Sequence, residues 1–196
     1  QGEKSVLTEM VEGKLEDMVE APAFEGMPVG MGIGMAKRIE DAVGQYAVFL
    51  KEQFPKHLTL EGLRIVLDCA NGAAYKVAPK VFEELGAELF DVGNQPDGRN
   101  INYQCGALYP QNLMEKVKLY KADLGLALDG DADRLIVVDD MGELVDGDQI
   151  LAICAEHMHR ASRLKKATVV STVMSNMGLE IALQGMGVKL NRTRVG

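Results

Sequence analysis

Apolar positions in this chain repeat at two spacings, and the alternation between them outlines its architecture. In residues 6–20, Leu7, Met10, Val11, Leu15, Met18 and Val19 recur every three to four positions among Glu and Lys, which predicts an amphipathic helix. Residues 21–36 lose that period and gain Pro and Gly, as a linker does. A second helix is predicted over 37–54, with Ile39, Val43, Tyr46, Ala47 and Leu50 on one face and Pro55 just beyond. Shorter elements then alternate: a β-branched strand at 64–69, a helix at 71–85, a strand at 87–92, a helix at 110–120 opened by Pro110, and an apolar strand at 123–128. Strands at 135–138 and 143–145 flank the turn Asp139, Asp140, Met141 and Gly142. Asp146 followed three positions later by Gln149 reads as a capping box, starting a helix that runs to about residue 159.

This order predicts the α/β class: a layered α/β domain with a mixed, largely parallel sheet flanked by helices and an antiparallel hairpin at its edge. After a basic break at 163–166 come a strand at 168–173, a helix at 176–184 and a strand at 188–192. One strand–helix–strand unit cannot cover both faces of a sheet. The expected organisation is therefore a central domain over 37–160 with parts of two neighbours, 1–36 and 161–196.

Composition narrows the function. The net charge is −8 and the pI near 5.0, which argues against nucleic acid as a partner. A small phosphorylated ligand stays open, because one cation or arginine can reverse the sign inside a cleft. No apolar run approaches the ~20 residues of a membrane helix, so no membrane partner is expected. Cys69, Cys105 and Cys154 form no C-x-x-C pair and are expected as free thiols of a cytoplasmic protein. Gly30, Gly32 and Gly34 follow no strand, and Lys37 stands where a dinucleotide loop needs glycine. His57, His157 and His159 suit surface or helix-end roles.

The candidate chemistry lies where the strand 123–128 ends. Asp129, Asp131 and Asp133 alternate with the small Gly130 and Ala132, and Arg134 follows. Carboxylates so crowded raise one another's pKa or take up a cation. All-oxygen ligation favours Mg²⁺, Ca²⁺ or Mn²⁺ over zinc. Arg134 brings a planar fork suited to a phosphoryl group. An EF-hand is ruled out, since Arg134 sits where that loop needs Gly and Asp140 where it needs Glu. A solvated acidic turn is the plainer alternative, but open α/β sheets gather ligands outside the carboxyl ends of their strands. The neighbouring Asp139 and Asp140 suit a turn, Glu143 a strand edge, and Asp146 and Asp148 a helix start. Asn71 and Gly72 are expected to form a tight turn, with Gly72 supplying a permissive φ and Asn71 capping the next helix.

The run Asp129, Gly130, Asp131, Ala132, Asp133, Arg134 resembles the metal loop of the α-D-phosphohexomutases. The stretches 122–150, 67–74 and 173–180 resemble the phosphoglucosamine mutase branch of that family. The resemblance implies four domains around a cleft and a phosphoserine in the first domain that passes its phosphoryl group to a hexose phosphate. It implies Mg²⁺ held by Asp129, Asp131 and Asp133, with Arg134 facing the phosphoryl group. It implies interconversion of glucosamine 6-phosphate and glucosamine 1-phosphate through a bisphosphate, a step toward the bacterial cell wall. Residues 1–36 then match the tail of the first domain and a linker, 37–160 the second domain, and 161–196 the start of an incomplete third. No T-A-S-H-N-P serine motif occurs here, and residues 105–110 read CGALYP where the branch has CGSTHP. The chain alone is thus expected to lack turnover. A phosphomannomutase or phosphoglucomutase of the same family, or a non-catalytic metal-binding module, is the alternative; a homo-oligomer is left open.

Overall fold

The computed structural model describes residues 9–20, 30–35 and 40–195. Residues 6–8 of the first expected helix, 37–39 of the second, and 21–29 and 36 of the expected linker lie outside the described residues. The chain divides into two compact units, Gln1–Glu40 and Asp41–Gly196. In the first, helix α1 spans Glu9–Glu20 and leaves Met10, Val11, Leu15, Met18 and Val19 exposed; a 3₁₀ turn spans Gly30–Gly32.

The second unit opens with α2 (Ala42–Gln53), followed by β1 (Arg64–Asp68), α3 (Val77–Glu84), β2 (Glu88–Val92), α4 (Gln111–Tyr120) and β3 (Leu124–Leu128). Strands β4 (Leu135–Asp139) and β5 (Leu144–Val145) complete a five-stranded sheet of order β2-β1-β3-β4-β5. β1 pairs in parallel with β2 and β3, while β3–β4 and β4–β5 are antiparallel. The sheet is mixed, with a parallel half and an antiparallel edge, as the element order predicts. Central β1 is buried from Ile65 through Asp68, as a strand covered on both faces must be. Val66 joins Ala127 and Val138 beneath Leu113 and Val117 of α4. Gly125 lets that helix come close: a Cβ there would lie 2.6 Å from Val117 Cγ2.

The helix expected over 71–85 is shorter than its apolar pattern suggests. Ala73–Tyr75 is a 3₁₀ turn, and α3 starts only at Val77. The reason is Pro79, which has no N–H and fits only the first turn of a helix.

The remaining elements are α5 (Gly147–Arg160), β6 (Thr168–Thr172), α6 (Met177–Gly185) and β7 (Lys189–Thr193). β6 and β7 form a separate parallel pair. The capping box on α5 is present: Gln149 N donates to Asp146 Oδ1 at 2.7 Å, and Asp146 N to Gln149 Oε1 at 2.8 Å. Asn176 caps α6 and donates its own N–H to Asp148 Oδ2 at 2.8 Å, tying the two helix starts together. Although α5 was grouped with the central domain by sequence, its Leu151, Ala152 and Ala155 pack with Val169, Leu179, Leu183 and Val188 of the following elements. None of the helices among the described residues is long and apolar enough to cross a membrane.

Candidate metal centre

β3 and β4 form a hairpin in which Leu128 pairs with Leu135, so residues 129–134 are its loop. The strand feeding the loop is packed against α4, which fixes where the loop begins. Ala132 N donates to Asp129 O at 3.1 Å, and Ala132 adopts φ +64°, so the chain turns sharply inside the loop. This curl brings alternate side chains together. Asp129, Asp131 and Asp133 each offer a carboxylate oxygen, all within 4.8 Å of one another. Among the described residues, no other group of three or more His, Cys, Asp or Glu side chains meets that condition. Asp129 is buried at 2% exposure, while Asp131 and Asp133 face solvent.

Arg134 folds back on the cluster. Its Nε donates to Asp129 Oδ2 at 2.7 Å and its backbone N to Asp129 Oδ1 at 3.1 Å; Asp133 Oδ1 lies 3.7 Å from Nε. The hydrogen bond from the Arg134 side chain holds the Asp129 carboxyl down at about 2. Asp133 is pushed up, first by the hydrogen bond it shares with Asp129 and then by the charge of Asp131. Arg134 is itself pushed up, chiefly by its hydrogen bond to Asp129. The donor set is all oxygen, one donor is fixed by burial, and two are open to solvent. This set fits a hard divalent cation such as Mg²⁺, Mn²⁺ or Ca²⁺.

The Arg134–Asp129 contact makes a pH prediction. A depressed carboxyl stabilises the fold fully above its ordinary value of 3.8, and that contribution is lost as pH falls toward 2. In Arg134→Gln, the Asp129 carboxyl, followed by side-chain ¹³C NMR without metal, is expected to titrate nearer 3.8. A midpoint still near 2 would show that Arg134 is not the cause.

The loop is held from behind by the turn after β1. Ala73 N donates to Gly130 O at 2.8 Å. A Cβ on Gly72 would lie 2.2 Å from Gly130 O, so the two backbones touch where no side chain fits. This corrects the sequence reading of the turn. Gly72 has φ −106°, which any residue can adopt; Ala70 and Asn71 carry the positive φ, +54° and +49°. Nor does Asn71 cap a helix. Its Oδ1 accepts from Gln95 N at 3.0 Å, and its Nδ2 donates to Asn100 O at 3.3 Å and to Cys105 Sγ at 3.5 Å.

One residue that the sequence reading passed over is Asp68. It is fully buried, accepting from Ala70 N at 2.8 Å and Gly106 N at 2.7 Å. The available signal was a carboxyl at the end of an otherwise apolar central strand, which is costly unless hydrogen-bonded. The neighbouring acidic residues keep their expected roles. Asp139 Oδ1 accepts from Met141 N and Glu143 N across the β4–β5 turn, and Asp146 and Asp148 serve the helix starts described above. Cys69 and Cys105 are buried free thiols, and burial is the main cause that pushes Cys69 up to about 12; Cys154 is free and exposed.

A layered α/β domain with a carboxylate cluster at the tip of a strand hairpin defines a class of fold that offers an all-oxygen donor set at a strand end. The profile "Phosphoglucomutase/phosphomannomutase, alpha/beta/alpha domain II" matches residues 44–142, and that of domain III matches residues 146–196. The chain belongs to the phosphoglucomutase/phosphomannomutase family. Among curated relatives, phosphoglucosamine mutase of Myxococcus xanthus is 57% identical over 191 residues, covering 97% of this chain and 42% of the relative. Phosphoglucosamine mutase of Pelobacter propionicus is 55% identical with the same coverage. This chain thus spans about two fifths of the length of these relatives. A phosphoglucomutase/phosphomannomutase family protein of Burkholderia thailandensis superposes with TM-score 0.69 at 26% identity, over 97% of this chain and 40% of that one. An N-acetylglucosamine-phosphate mutase in a substrate complex shares the fold at TM-score 0.58 and 21% identity, over 80% of this chain and 34% of that one.

Proposed function

We propose that this chain is the metal-binding part of an enzyme that interconverts glucosamine 6-phosphate and glucosamine 1-phosphate. The observation that carries this reading is the trio Asp129, Asp131 and Asp133, within 4.8 Å of one another, in a chain 57% identical to a phosphoglucosamine mutase. The three aspartates would hold Mg²⁺. Such an ion supplies charge neutralisation for phosphoryl oxygens, the main demand of phosphoryl transfer. Asp129, held by β3 and by Arg134, sets the position of the cluster, and the exposed Asp131 and Asp133 close on it from the solvent side. Arg134 keeps a side chain 64% exposed, so its fork can shift to a phosphoryl oxygen once Asp129 has another partner.

The phosphoserine of this reading lies outside these residues, as do the remaining parts of a cleft around the hexose phosphate. We assign the junction between the two family domains to residues 143–145. The packing of α5 with β6 and α6 supports that junction, as do the matched ranges, which end at 142 and resume at 146. The assignment carries with it a cytoplasmic location, where sugar phosphates are processed.

The test is turnover by the complete gene product that contains this chain. With glucosamine 6-phosphate, Mg²⁺ and a catalytic amount of hexose bisphosphate, ³¹P NMR is expected to show a 1-phosphate signal. Turnover of mannose or glucose phosphates with none of glucosamine phosphate would transfer the assignment to another activity of the family. No turnover of any hexose phosphate would leave a metal-binding module without catalysis.

A further inference from the structure

Asp68 is a buried carboxyl with no role in the chemistry above, and among the described residues it makes no ion pair. Its two acceptor bonds join segments far apart in sequence: Ala70 N, in the turn after β1, and Gly106 N, in the loop before α4. The space around it admits no side chain. A Cβ on Gly93 would lie 2.4 Å from Asp68 Oδ1, and one on Gly106 would lie 2.4 Å from Ala70 Cβ and 2.6 Å from Leu128 O. Leu128 is the residue before Asp129, so the Gly106 segment bears on the root of the metal loop.

Two contacts hold Gly130 inside that loop: one comes from Ala73, in the turn that follows Ala70, and the other from the Asn102 segment, which is bonded to Ala70 O. Three residues on, Ala73 N donates to Gly130 O at 2.8 Å. On the other side, Ala70 O accepts from Asn102 N at 2.9 Å, and the Ile101 and Asn102 side chains close over Gly130, where an added Cβ would lie 2.8 Å from each. Ala70 holds φ +54°, a strained conformation for a residue with a Cβ, which needs an outside hold to persist. Asp68 Oδ1 supplies that hold.

We infer that Asp68 is a positioning residue for the metal loop: it fixes the turn at Ala70, through which Gly130 and the carboxylates on either side of it are held for a divalent cation. This inference rests on the reading of Asp129, Asp131 and Asp133 as cation ligands. Asp68→Asn keeps the shape of the side chain but turns an NH₂ group toward a backbone N–H, so one of the two bonds is lost. Ala73→Pro leaves Asp68 intact and removes the donor to Gly130 O; Gly72 before it is already extended, as a residue preceding proline must be. Leu183→Ala, buried in α6 within the separate cluster that includes Ala155, Val169 and Val188, is the control that lowers stability without touching either contact.

Mn²⁺ affinity of the three variants and the wild-type chain, measured by calorimetry, gives the test. Asp68→Asn and Ala73→Pro are expected to weaken Mn²⁺ binding about tenfold, as loss of outer-sphere support for metal ligands does. Leu183→Ala is expected to leave it unchanged despite a lower Tm. Without metal, amide shifts at residues 130–133 are expected to move in Asp68→Asn and stay in Leu183→Ala. Wild-type affinity in Asp68→Asn, or in Ala73→Pro should Asp68→Asn not fold, would overturn the inference, as would an equal loss in all three variants. Failure of the wild-type chain to bind Mn²⁺ would overturn the metal reading and this inference together, and is told apart by the wild-type titration alone.

Discussion

Asp129→Asn is expected to abolish divalent-cation binding by this chain. Asp129 is the one carboxylate of the trio that the fold itself fixes, buried at 2% exposure and clamped by the side chain and backbone of Arg134. Asp131 and Asp133 are exposed and can reorient, so each can be replaced in part by water. The amide of Asn keeps one neutral oxygen and loses the charge that a hard cation needs. The loss should exceed the roughly 100-fold that removal of an outer-sphere partner can cause. Mn²⁺ calorimetry on the variant, with the Tm recorded to show that it is folded, checks this. Affinity within a few-fold of wild type would mean that the ion is held elsewhere.

Gly72→Ala is the substitution with the largest expected cost to stability. Its Cβ would meet Gly130 O at 2.2 Å, Gly130 Cα at 2.6 Å and Gly130 C at 2.7 Å. All three are backbone atoms of a residue fixed by the Ala73 hydrogen bond, so no side-chain rotation relieves the clash. Overpacking of this kind costs about 2–3 kcal/mol, which urea denaturation would read as a lower midpoint at unchanged slope. The same variant is expected to weaken Mn²⁺ binding, because the loop can escape only by moving away from β1. A change below about 0.5 kcal/mol, the scale of an ordinary surface substitution, would show that the two backbones do not meet as described.

The features legible in the sequence are those whose partners are close along the chain. The capping box of Asp146 and Gln149 was readable because its members are three residues apart. The carboxylate trio was readable because five consecutive positions contain it, and the strand before it announced where it would sit. Gly72 matters for a close approach rather than for a permissive φ. Its neighbour Gly130 is remote in sequence, and a backbone-to-backbone contact leaves no pattern except the glycine itself. Asp68 was missed because its partners are backbone N–H groups, one of them 38 positions away, and backbone groups carry no residue signature. The packing partners of α5 are likewise remote in sequence. The basic break at 163–166 looks like punctuation, and an apolar stripe on α5 says that the helix is buried without saying against which core. The resemblance has Arg134 facing a phosphoryl group; in this structure its Nε donates to Asp129 Oδ2.

The central claim is that the β3–β4 loop grips a hard divalent cation. Titrating Mn²⁺ into this chain while recording ¹H–¹⁵N spectra tests it most directly. Paramagnetic broadening should begin at the amides of residues 129–134 and spread next to Gly72 and Ala73, whose backbone touches the loop, and excess Mg²⁺ should reverse it. Spectra unchanged at millimolar Mn²⁺, or broadening that starts away from this loop, would contradict the account.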